Sequence, residues 1–234
     1  MKLIILLQRN SVFAIVLIAV CLSVMNLKVN GQSVTIGRGS VGIIFDSSGK
    51  QALGTGFVAI DKKQVITCSH VVSIGSQWIY QPVGKEDGRV YKLQMKRLLP
   101  QYDLAVLSAE EEICDKPLLL GSFQELQPGD QVFYLGLKVE IGTVEANIAA
   151  VYAKGKAKEG EKIVEFVEFV GVGKPGFSGG PVFTTKGKVI AVMREAWLKR
   201  GLMGREEILM NRAFSSDPLN TTMSKPTQKV RNEK

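Results

Sequence analysis

Short apolar runs separated by turn sequences constrain the fold of this chain more than any other feature. Turn-forming residues stand between them, as at 46–49 and 128–130. Many short strands at such spacing are typical of an all-β sandwich or barrel. Long amphipathic helices are absent from the pattern, which argues against a doubly wound α/β sheet. The runs lie at 41–45, 56–60, 64–68, 77–80, 91–95, 104–107, 131–136 and 162–170.

The first thirty residues differ in character from the rest. Lys2 and Arg9 precede an uncharged, largely apolar run over residues 11–27. A basic start followed by an apolar stretch is typical of a secretory signal, and small residues precede Gln32 where cleavage would occur. The run is long for a signal peptide and short for a membrane span. We therefore expect residues 1–31 to be a signal peptide or signal anchor. We then expect the protein to be exported, as either a secreted or a periplasmic protein. It would stay at a membrane only if residues 11–27 act as an uncleaved anchor.

Charge gives little indication of a partner. The formal net charge is +8, but lysine and arginine are dispersed along the chain. Nucleic-acid binding would need bases clustered on one element. The basic stretch at 154–158 and the basic C-terminus are explained as solvated surface. We expect no nucleic-acid partner.

A glycine-rich segment around a serine is the most informative motif. Residues 175–181 read Pro-Gly-Phe-Ser-Gly-Gly-Pro. Glycines permit tight turns and close approach of a substrate. Successive backbone N–H groups in such a turn can bind the oxyanion of a tetrahedral intermediate. Ser178 is therefore a candidate nucleophile that needs a base. Taken alone, the motif fits a plain hairpin turn equally well.

The chain contains a single histidine, His70, which follows an apolar strand. A base of this kind needs an orienting acid. Asp103 immediately precedes a strongly apolar run, where a buried carboxylate must be hydrogen-bonded. The order His70, Asp103, Ser178 is that of the chymotrypsin class. The G-x-S-x-G pattern of α/β-hydrolases also matches, but those enzymes need a histidine after the serine, and here there is none.

Together these segments resemble the trypsin-like serine peptidases, nearest the HtrA/Deg branch. The resemblance covers roughly residues 35–215 and implies two six-stranded antiparallel β-barrels with the active site in the cleft between them. It implies that His70 and Asp103 come from the first barrel and Ser178 from the second. The N–H groups of Gly176 and Ser178 would form the oxyanion hole. The matching segments are GTGFV at 54–58, VITCSHVV at 65–72, DLAVL at 103–107, GDQVFYLG at 129–136 and PGFSGGPV at 175–182.

The same resemblance suggests a domain organisation. Residues 32–214 would form the protease domain, with the two barrels meeting near 115–128. Residues 215–234 are polar and are expected to form a disordered tail. About 20 residues follow the expected end of the second barrel, too few for the peptide-binding PDZ domain that HtrA-type enzymes usually carry.

The resemblance also places the walls of the primary specificity pocket. They would be formed by Gly171, Lys174, Val192, Met193 and Arg194. These wall segments contain no acid, so nothing in them would pair with a substrate lysine or arginine. Met193 suits a small or aliphatic side chain. Lys174 and Arg194 leave an acidic side chain as the competing outcome.

The ordered triad predicts a serine endopeptidase that acts on polypeptides through an acyl-enzyme. Phe177 and Met193 are bulkier than is common in the relatives. They support a second hypothesis, a trypsin-fold module that binds peptides or proteins with weak turnover or none. One histidine with Cys68 and Cys114 cannot build a tetrahedral zinc site, so we expect no metal or organic cofactor. Those two cysteines could pair in an exported chain, but two buried free thiols are preferred.

Overall fold

The computed structural model describes residues 25–29, 32–36, 39–85, 87–138, 143–200 and 207–221. Most of these residues lie in β-strands, which form two closed six-stranded barrels and one two-stranded hairpin. All strand pairs within the barrels are antiparallel. The prediction of an all-β, double-barrel fold is confirmed.

The hairpin lies at the N-terminal end. Its strands are Met25–Val29 (β1) and Gln32–Ile36 (β2). Most of the predicted signal segment at 1–31 lies outside the described residues. Among the residues that are described, no helix has the length and apolar character needed to cross a membrane.

The first barrel is built from consecutive strands. The strands are Val41–Phe45 (β3), Ala52–Val58 (β4), Gln64–Cys68 (β5), Gln77–Pro82 (β6), Tyr91–Leu99 (β7) and Leu104–Ser108 (β8). The barrel order is β3-β4-β5-β8-β7-β6, which makes β5 and β8 direct neighbours. In β7 buried and exposed residues alternate over the first four positions, whereas all five residues of β5 are buried.

The second barrel is likewise built from consecutive strands. They are Gln131–Lys138 (β9), Thr143–Glu159 (β10), Lys162–Val170 (β11), Pro181–Thr184 (β12), Val189–Arg200 (β13) and Glu207–Ser215 (β14). The barrel order is β10-β11-β14-β13-β12-β9. Its interior contains a cluster of large apolar side chains that includes Tyr134, Phe169 and Phe177.

The basic stretch at 154–158 is part of β10 and is not uniformly solvated surface. Lys154 is half-buried, and its Nζ donates hydrogen bonds to the carbonyl oxygens of Phe123 and Leu126 at 3.1 and 2.8 Å. It also lies 4.7 Å from the centroid of the Phe123 ring. Lys154 thus satisfies carbonyl groups at the short 3₁₀ turn Phe123–Glu125, where the helical hydrogen-bond pattern ends.

Residues 109–130 connect the barrels and include the predicted boundary near 115–128. Leu118 donates its N–H to the Val58 carbonyl of the first barrel at 2.8 Å. Three residues later, Gly121 donates to the Val189 carbonyl of the second barrel at 2.7 Å. The connection is therefore hydrogen-bonded to both barrels.

The chain remains packed beyond the predicted end of the domain. Asp217–Thr221 (α1) is a short helix, although the sequence pattern assigns 215–234 to a tail. Leu219 is fully buried in the hydrophobic core, and Asn220 Nδ2 donates to the Gly121 carbonyl at 3.0 Å. The tail assignment is wrong for these residues because one leucine in a polar stretch anchors the helix. Residues 222–234 lie outside the described part.

Candidate active site

The barrel topology brings His70 beside Asp103. In the antiparallel pairing of β5 with β8, Cys68 lies opposite Leu104. His70 opens the 3₁₀ turn that follows β5, and Asp103 ends the 3₁₀ turn that precedes β8. Asp103 has a φ of 51°, a left-handed conformation that aspartate adopts more readily than most residues. Two residues 33 positions apart are thus held at the same end of the barrel.

Asp103 is held by three hydrogen bonds from its own barrel. His70 Nδ1 lies 2.7 Å from Asp103 Oδ2. The other carboxylate oxygen accepts from the Ser69 hydroxyl at 2.7 Å and from the His70 backbone N–H at 3.1 Å. Burial raises the pKa of Asp103, but the hydrogen bonds from His70 and Ser69 and the charge of His70 outweigh it, leaving this pKa lowered. The ionised carboxylate therefore fixes the ring and leaves Nε2 as the basic nitrogen.

Ser178 lies in the turn between β11 and β12, on the second barrel. Its hydroxyl donates to the Arg194 carbonyl at 3.0 Å. Arg194 Nε in turn lies 3.4 Å from Asp103 Oδ2, so one residue contacts both the predicted nucleophile and the predicted acid. Within the described part of the chain, no hydrogen bond joins Ser178 to the imidazole. Catalytic hydrogen bonds are often long before substrate binds.

The backbone of the serine turn offers two unengaged N–H groups. Gly176 has a φ of 94°, which an L side chain would strain. The neighbouring N–H of Phe177 donates back to the Lys174 carbonyl at 3.1 Å. Among the hydrogen bonds of the described residues, the N–H groups of Gly176 and Ser178 find no acceptor. These are the two donors that the family resemblance assigns to the oxyanion hole.

The two glycines after the serine allow close backbone approaches, the first of them between the two barrels. A Cβ on Gly179 would lie 2.1 Å from the Thr55 carbonyl oxygen of the first barrel. A Cβ on Gly180 would lie 1.9 Å from the Leu135 carbonyl oxygen. Contacts this short with backbone atoms cannot be relieved by a side-chain movement. Only glycine fits at both positions.

Thr55 on β4 forms hydrogen bonds between the two barrels beside the serine turn. The sequence pattern alone did not indicate this role. Its N–H donates to the Ser178 carbonyl at 2.9 Å. Its hydroxyl donates to the Gly176 carbonyl at 2.7 Å and accepts from the Leu137 N–H at 2.8 Å. The residue is fully buried. A buried hydroxyl within an apolar strand is a signal that could have indicated this role, because such groups require partners.

A small cavity of about 30 Å³ opens beside Ser178. The predicted wall residues Lys174, Met193 and Arg194 line it, whereas Gly171 and Val192 do not. Val192 is fully buried in the hydrophobic core instead, because alternate residues of a strand face opposite sides. The complete lining is Gly173, Lys174, Phe177, Ser178, Met193, Arg194, Glu195 and Ala196.

The two bulky residues near the serine are buried. Phe177 and Met193 belong to the interior cluster of the second barrel. A Cβ on Gly136 would lie only 2.2 Å from the Phe177 ring, so the ring fills space that the glycine leaves open. The bulk of Phe177 therefore contributes to the barrel core as well as to the cavity wall.

Each charged residue of the lining has an opposite charge nearby. The sequence predicts walls without an acid, but Glu195 is part of the lining. Its Oε1 lies 3.1 Å from the Arg212 guanidinium. Lys174 Nζ lies 3.7 Å from Glu145. Arg194 Nη1 lies 2.7 Å from Glu159 Oε1. Because the cations are already paired, they are weaker anchors for an acidic substrate side chain than the sequence suggests.

The two cysteines of the protease domain are free, as preferred from the sequence. The thiol of Cys68 donates to the Met193 carbonyl at 3.1 Å, and burial raises its pKa well above the ordinary value. Potential metal-ligand atoms of Cys68, His70 and Asp103 lie within 4.8 Å of one another. All three side chains are already hydrogen-bonded to protein groups, as described above. That catalysis needs no metal remains a prediction.

Comparison with known proteins places these features in a family. Residues 54–192 match the family model described as a trypsin-like peptidase domain. A probable periplasmic DegP-like serine endoprotease of Hahella chejuensis is 33% identical over 153 residues, covering 64% of this chain and 31% of that protein. The putative serine protease HhoA of Synechocystis is 32% identical over 143 residues, covering 59% and 36%. The chain thus spans about a third of the length of these relatives.

Solved structures share the fold at low sequence identity. The HtrA-type protease AlgW with a tripeptide has a TM-score of 0.65 at 21% identity, covering 80% of this chain and 60% of the AlgW chain. The MamO protease domain of Magnetospirillum magneticum has a TM-score of 0.62 at 18% identity, covering 80% and 97%. The matched segment runs from β4 to β13 and so includes His70, Asp103 and Ser178, and the curated relatives include DegP-like proteases. This chain is a member of the trypsin-like peptidase family.

Proposed function

We propose that this chain is a serine endopeptidase that hydrolyses polypeptide bonds through an acyl-enzyme intermediate. Ser178 is the nucleophile, His70 the general acid and base, and Asp103 the residue that orients the imidazole. One observation carries the proposal. The 2.7 Å His70–Asp103 pair is connected through Arg194 to a serine whose turn presents two unengaged N–H groups.

The reaction follows from this arrangement. His70 Nε2 takes the hydroxyl proton while Ser178 Oγ attacks the substrate carbonyl carbon. The N–H groups of Gly176 and Ser178 bind the oxyanion that forms. The imidazolium then donates its proton to the leaving amine, and the acyl-enzyme remains. A water molecule, deprotonated by the same imidazole, hydrolyses that ester and regenerates the serine.

The resting hydrogen bond of Ser178 must break in the first step. Its hydroxyl donates to the Arg194 carbonyl, so in this conformation the proton is shared with that carbonyl. A rotation of the serine side chain has to redirect the proton to His70 Nε2. We propose that substrate binding promotes this rotation, because a substrate backbone N–H can occupy the carbonyl in place of the hydroxyl.

A binding module with little turnover is the alternative. Two observations favour it, the Ser178 hydroxyl bonded to Arg194 and the cavity of about 30 Å³. A peptidase whose pocket holds only a small side chain would act slowly on most sequences. The two functions differ in one measurable property, the covalent reactivity of the serine.

The substrate and compartment are proposed on the same basis. The names of the relatives include periplasmic serine endoproteases, and the N-terminal sequence pattern predicts export. We propose that the chain acts outside the cytoplasm on polypeptides.

The experiment that tests the function is covalent labelling with a fluorophosphonate, combined with cleavage of an unfolded protein substrate. Wild-type protein should label and cleave, and Ser178→Ala should do neither, with a loss on the order of 10⁴-fold or more. Ser122→Ala, at a serine of the connection between the barrels, is the matched control and should label normally. Activity should persist after chelation of metal ions. Cleavage by Ser178→Ala at the wild-type rate would overturn the proposal, and a wild-type protein that neither labels nor cleaves would favour the binding module.

A further inference from the structure

Arg194 contacts both halves of the candidate site, one through its backbone and the other through its side chain. Its carbonyl accepts the Ser178 hydroxyl at 3.0 Å. Its Nε lies 3.4 Å from Asp103 Oδ2, the same carboxylate oxygen that pairs with His70 Nδ1 at 2.7 Å. A guanidinium cation therefore lies directly behind the acid–base pair.

The guanidinium is fixed in that position by two further contacts. Its Nη1 donates to Glu159 Oε1 at 2.7 Å, at the end of β10. Its central carbon lies 4.3 Å from the centroid of the Phe214 ring on β14. The side chain is only 24% exposed. Because groups on two other strands hold the guanidinium, the side chain has little freedom to leave this position.

These contacts also argue against the role that the sequence suggests for Arg194. A residue that attracts an acidic substrate side chain must present an unpaired cation to the cavity. Here the guanidinium is already engaged by Glu159 and Asp103. Its charge acts on the protein's own carboxylate.

We propose that Arg194 is a positioning residue whose cation, acting on Asp103, sets the pH range in which His70 works as a base. The inference rests on the proposed function of the triad. A positive charge behind Asp103 offsets part of the carboxylate charge that favours a protonated imidazole. Removal of the Arg194 cation should therefore narrow the pH range of activity at its acid end.

Other charged groups on the neighbouring elements modify this effect. Among the described residues, Glu159 on β10 and Glu195 on β13 interact electrostatically with Arg194 and offset part of its charge, but Nε of the guanidinium is the nitrogen that faces Asp103. Cys68 on β5 interacts with Asp103 and Arg194, but burial raises its pKa well above the ordinary value, so its thiol carries no charge at neutral pH.

The test is the pH profile of kcat/KM for Arg194→Met, Arg194→Gln and Arg194→Lys, with Arg89→Met as the control. Arg89 pairs with Glu111 in the first barrel, away from the triad. We expect the acid limb of the profile to move to higher pH by about one unit in the Met and Gln variants. The Lys variant keeps the charge and should remain closer to wild type, and the control should not move. Loss of packing alone would lower the rate at every pH without moving the limb.

A second measurement does not depend on turnover. The chain has one histidine, so protein purified without a histidine tag gives a single set of imidazole NMR signals. The pH midpoint of those signals should move upward in Arg194→Met and in Arg194→Gln, if either variant folds. An unchanged midpoint in a folded neutral variant would overturn the inference. A shifted midpoint in a protein that takes up no fluorophosphonate would leave the inference standing and contradict the proposed function instead.

Discussion

The two halves of the candidate active site are organised in different ways. In the first barrel, Asp103 accepts hydrogen bonds from Ser69 and from two groups of His70. In the second barrel, the Ser178 hydroxyl bonds a carbonyl of a neighbouring strand, and the N–H groups of Gly176 and Ser178 have no acceptor among the described residues. The hydrogen-bonding groups of the acid–base half are paired within the protein, whereas the nucleophile half leaves two backbone N–H donors available to a ligand.

This contrast shows how each half is held in place. The acid and base are fixed by contacts within their own barrel, since β5 and β8 are neighbouring strands. The serine turn is fixed by both barrels, through the backbone of Met193 in its own barrel and through the backbone and hydroxyl of Thr55 in the other. Substitutions in the two halves should therefore have different consequences.

Breaking the first half at its acid should have the largest effect. Asp103→Asn keeps the shape but presents the ring with a neutral partner that favours the wrong tautomer. We expect kcat to fall by about 10⁴-fold at neutral pH. Asp115→Asn, at an exposed acid of the connection, should leave kcat unchanged. A loss of less than about tenfold in the Asp103→Asn variant would show that this carboxylate does not orient the base.

The cavity beside the second half should determine which bonds are cut. Its volume of about 30 Å³ and its buried Met193 favour a small aliphatic side chain before the cleaved bond. A cleavage profile on a peptide library should show such residues preferred by about 10- to 100-fold over aromatic ones. The carboxylate of Glu195 makes cleavage after a basic residue the competing outcome. Dominant cleavage after lysine or arginine would mean that substrate displaces Arg212 from this carboxylate.

Separating the two halves at Thr55 should have a smaller, mixed effect. Thr55→Val removes the donor to the Gly176 carbonyl and the acceptor of the Leu137 N–H. Leaving a buried polar group unpaired costs about 1–3 kcal/mol, so the unfolding free energy should fall by about that amount. The rate of fluorophosphonate labelling should fall about tenfold. Thr55→Ser keeps the hydroxyl and should retain both properties. Equal values for the Val and Ser variants would contradict the role of this hydroxyl.

The smallest effect concerns acid stability and belongs to the first half alone. The pKa of Asp103 is lowered below its ordinary value of 3.8 in the folded chain, so the unfolded chain binds this proton first as pH falls. The carboxylate therefore stabilises the fold above about pH 4, and this contribution disappears as pH falls through the lowered pKa. Urea unfolding at about pH 7 and about pH 3 should show the difference between wild type and Asp103→Asn narrowing in acid. A difference that widened would have the wrong sign.

Local sequence signals predicted the strands that are short and rich in β-branched or aromatic residues. The bounds at 41–45, 64–68 and 162–170 agree with β3, β5 and β11. The 17-residue strand β10 was not predicted, because its alanines, lysines and glutamates have low strand propensity. Its strand form comes from pairing with β9 and β11. Tertiary pairing overrides local preference in this segment.

The candidate site shows the same division between features that the local sequence indicates and features that depend on tertiary contacts. The single histidine and the glycine-rich serine motif indicated His70 and Ser178, and chain order with strand position indicated Asp103. The partners of Thr55, Glu159 and Arg194 were not predictable, because each depends on a contact between residues distant in sequence. Arg194 and Glu159 are 35 residues apart, and Thr55 and Gly176 are 121 apart. Composition and spacing contain no information about such contacts.

The division of the site between two barrels, each continuous in sequence, also affects how the protein folds. Residues 41–108 contain every strand of the first barrel together with the base and its acid. The nucleophile turn is completed only when residues from β4 meet those after β11, a long-range contact of the kind that forms slowly. A chain synthesised only as far as β11 thus contains the base and the acid without the serine. Activity of the proposed triad therefore requires the contacts between the two barrels.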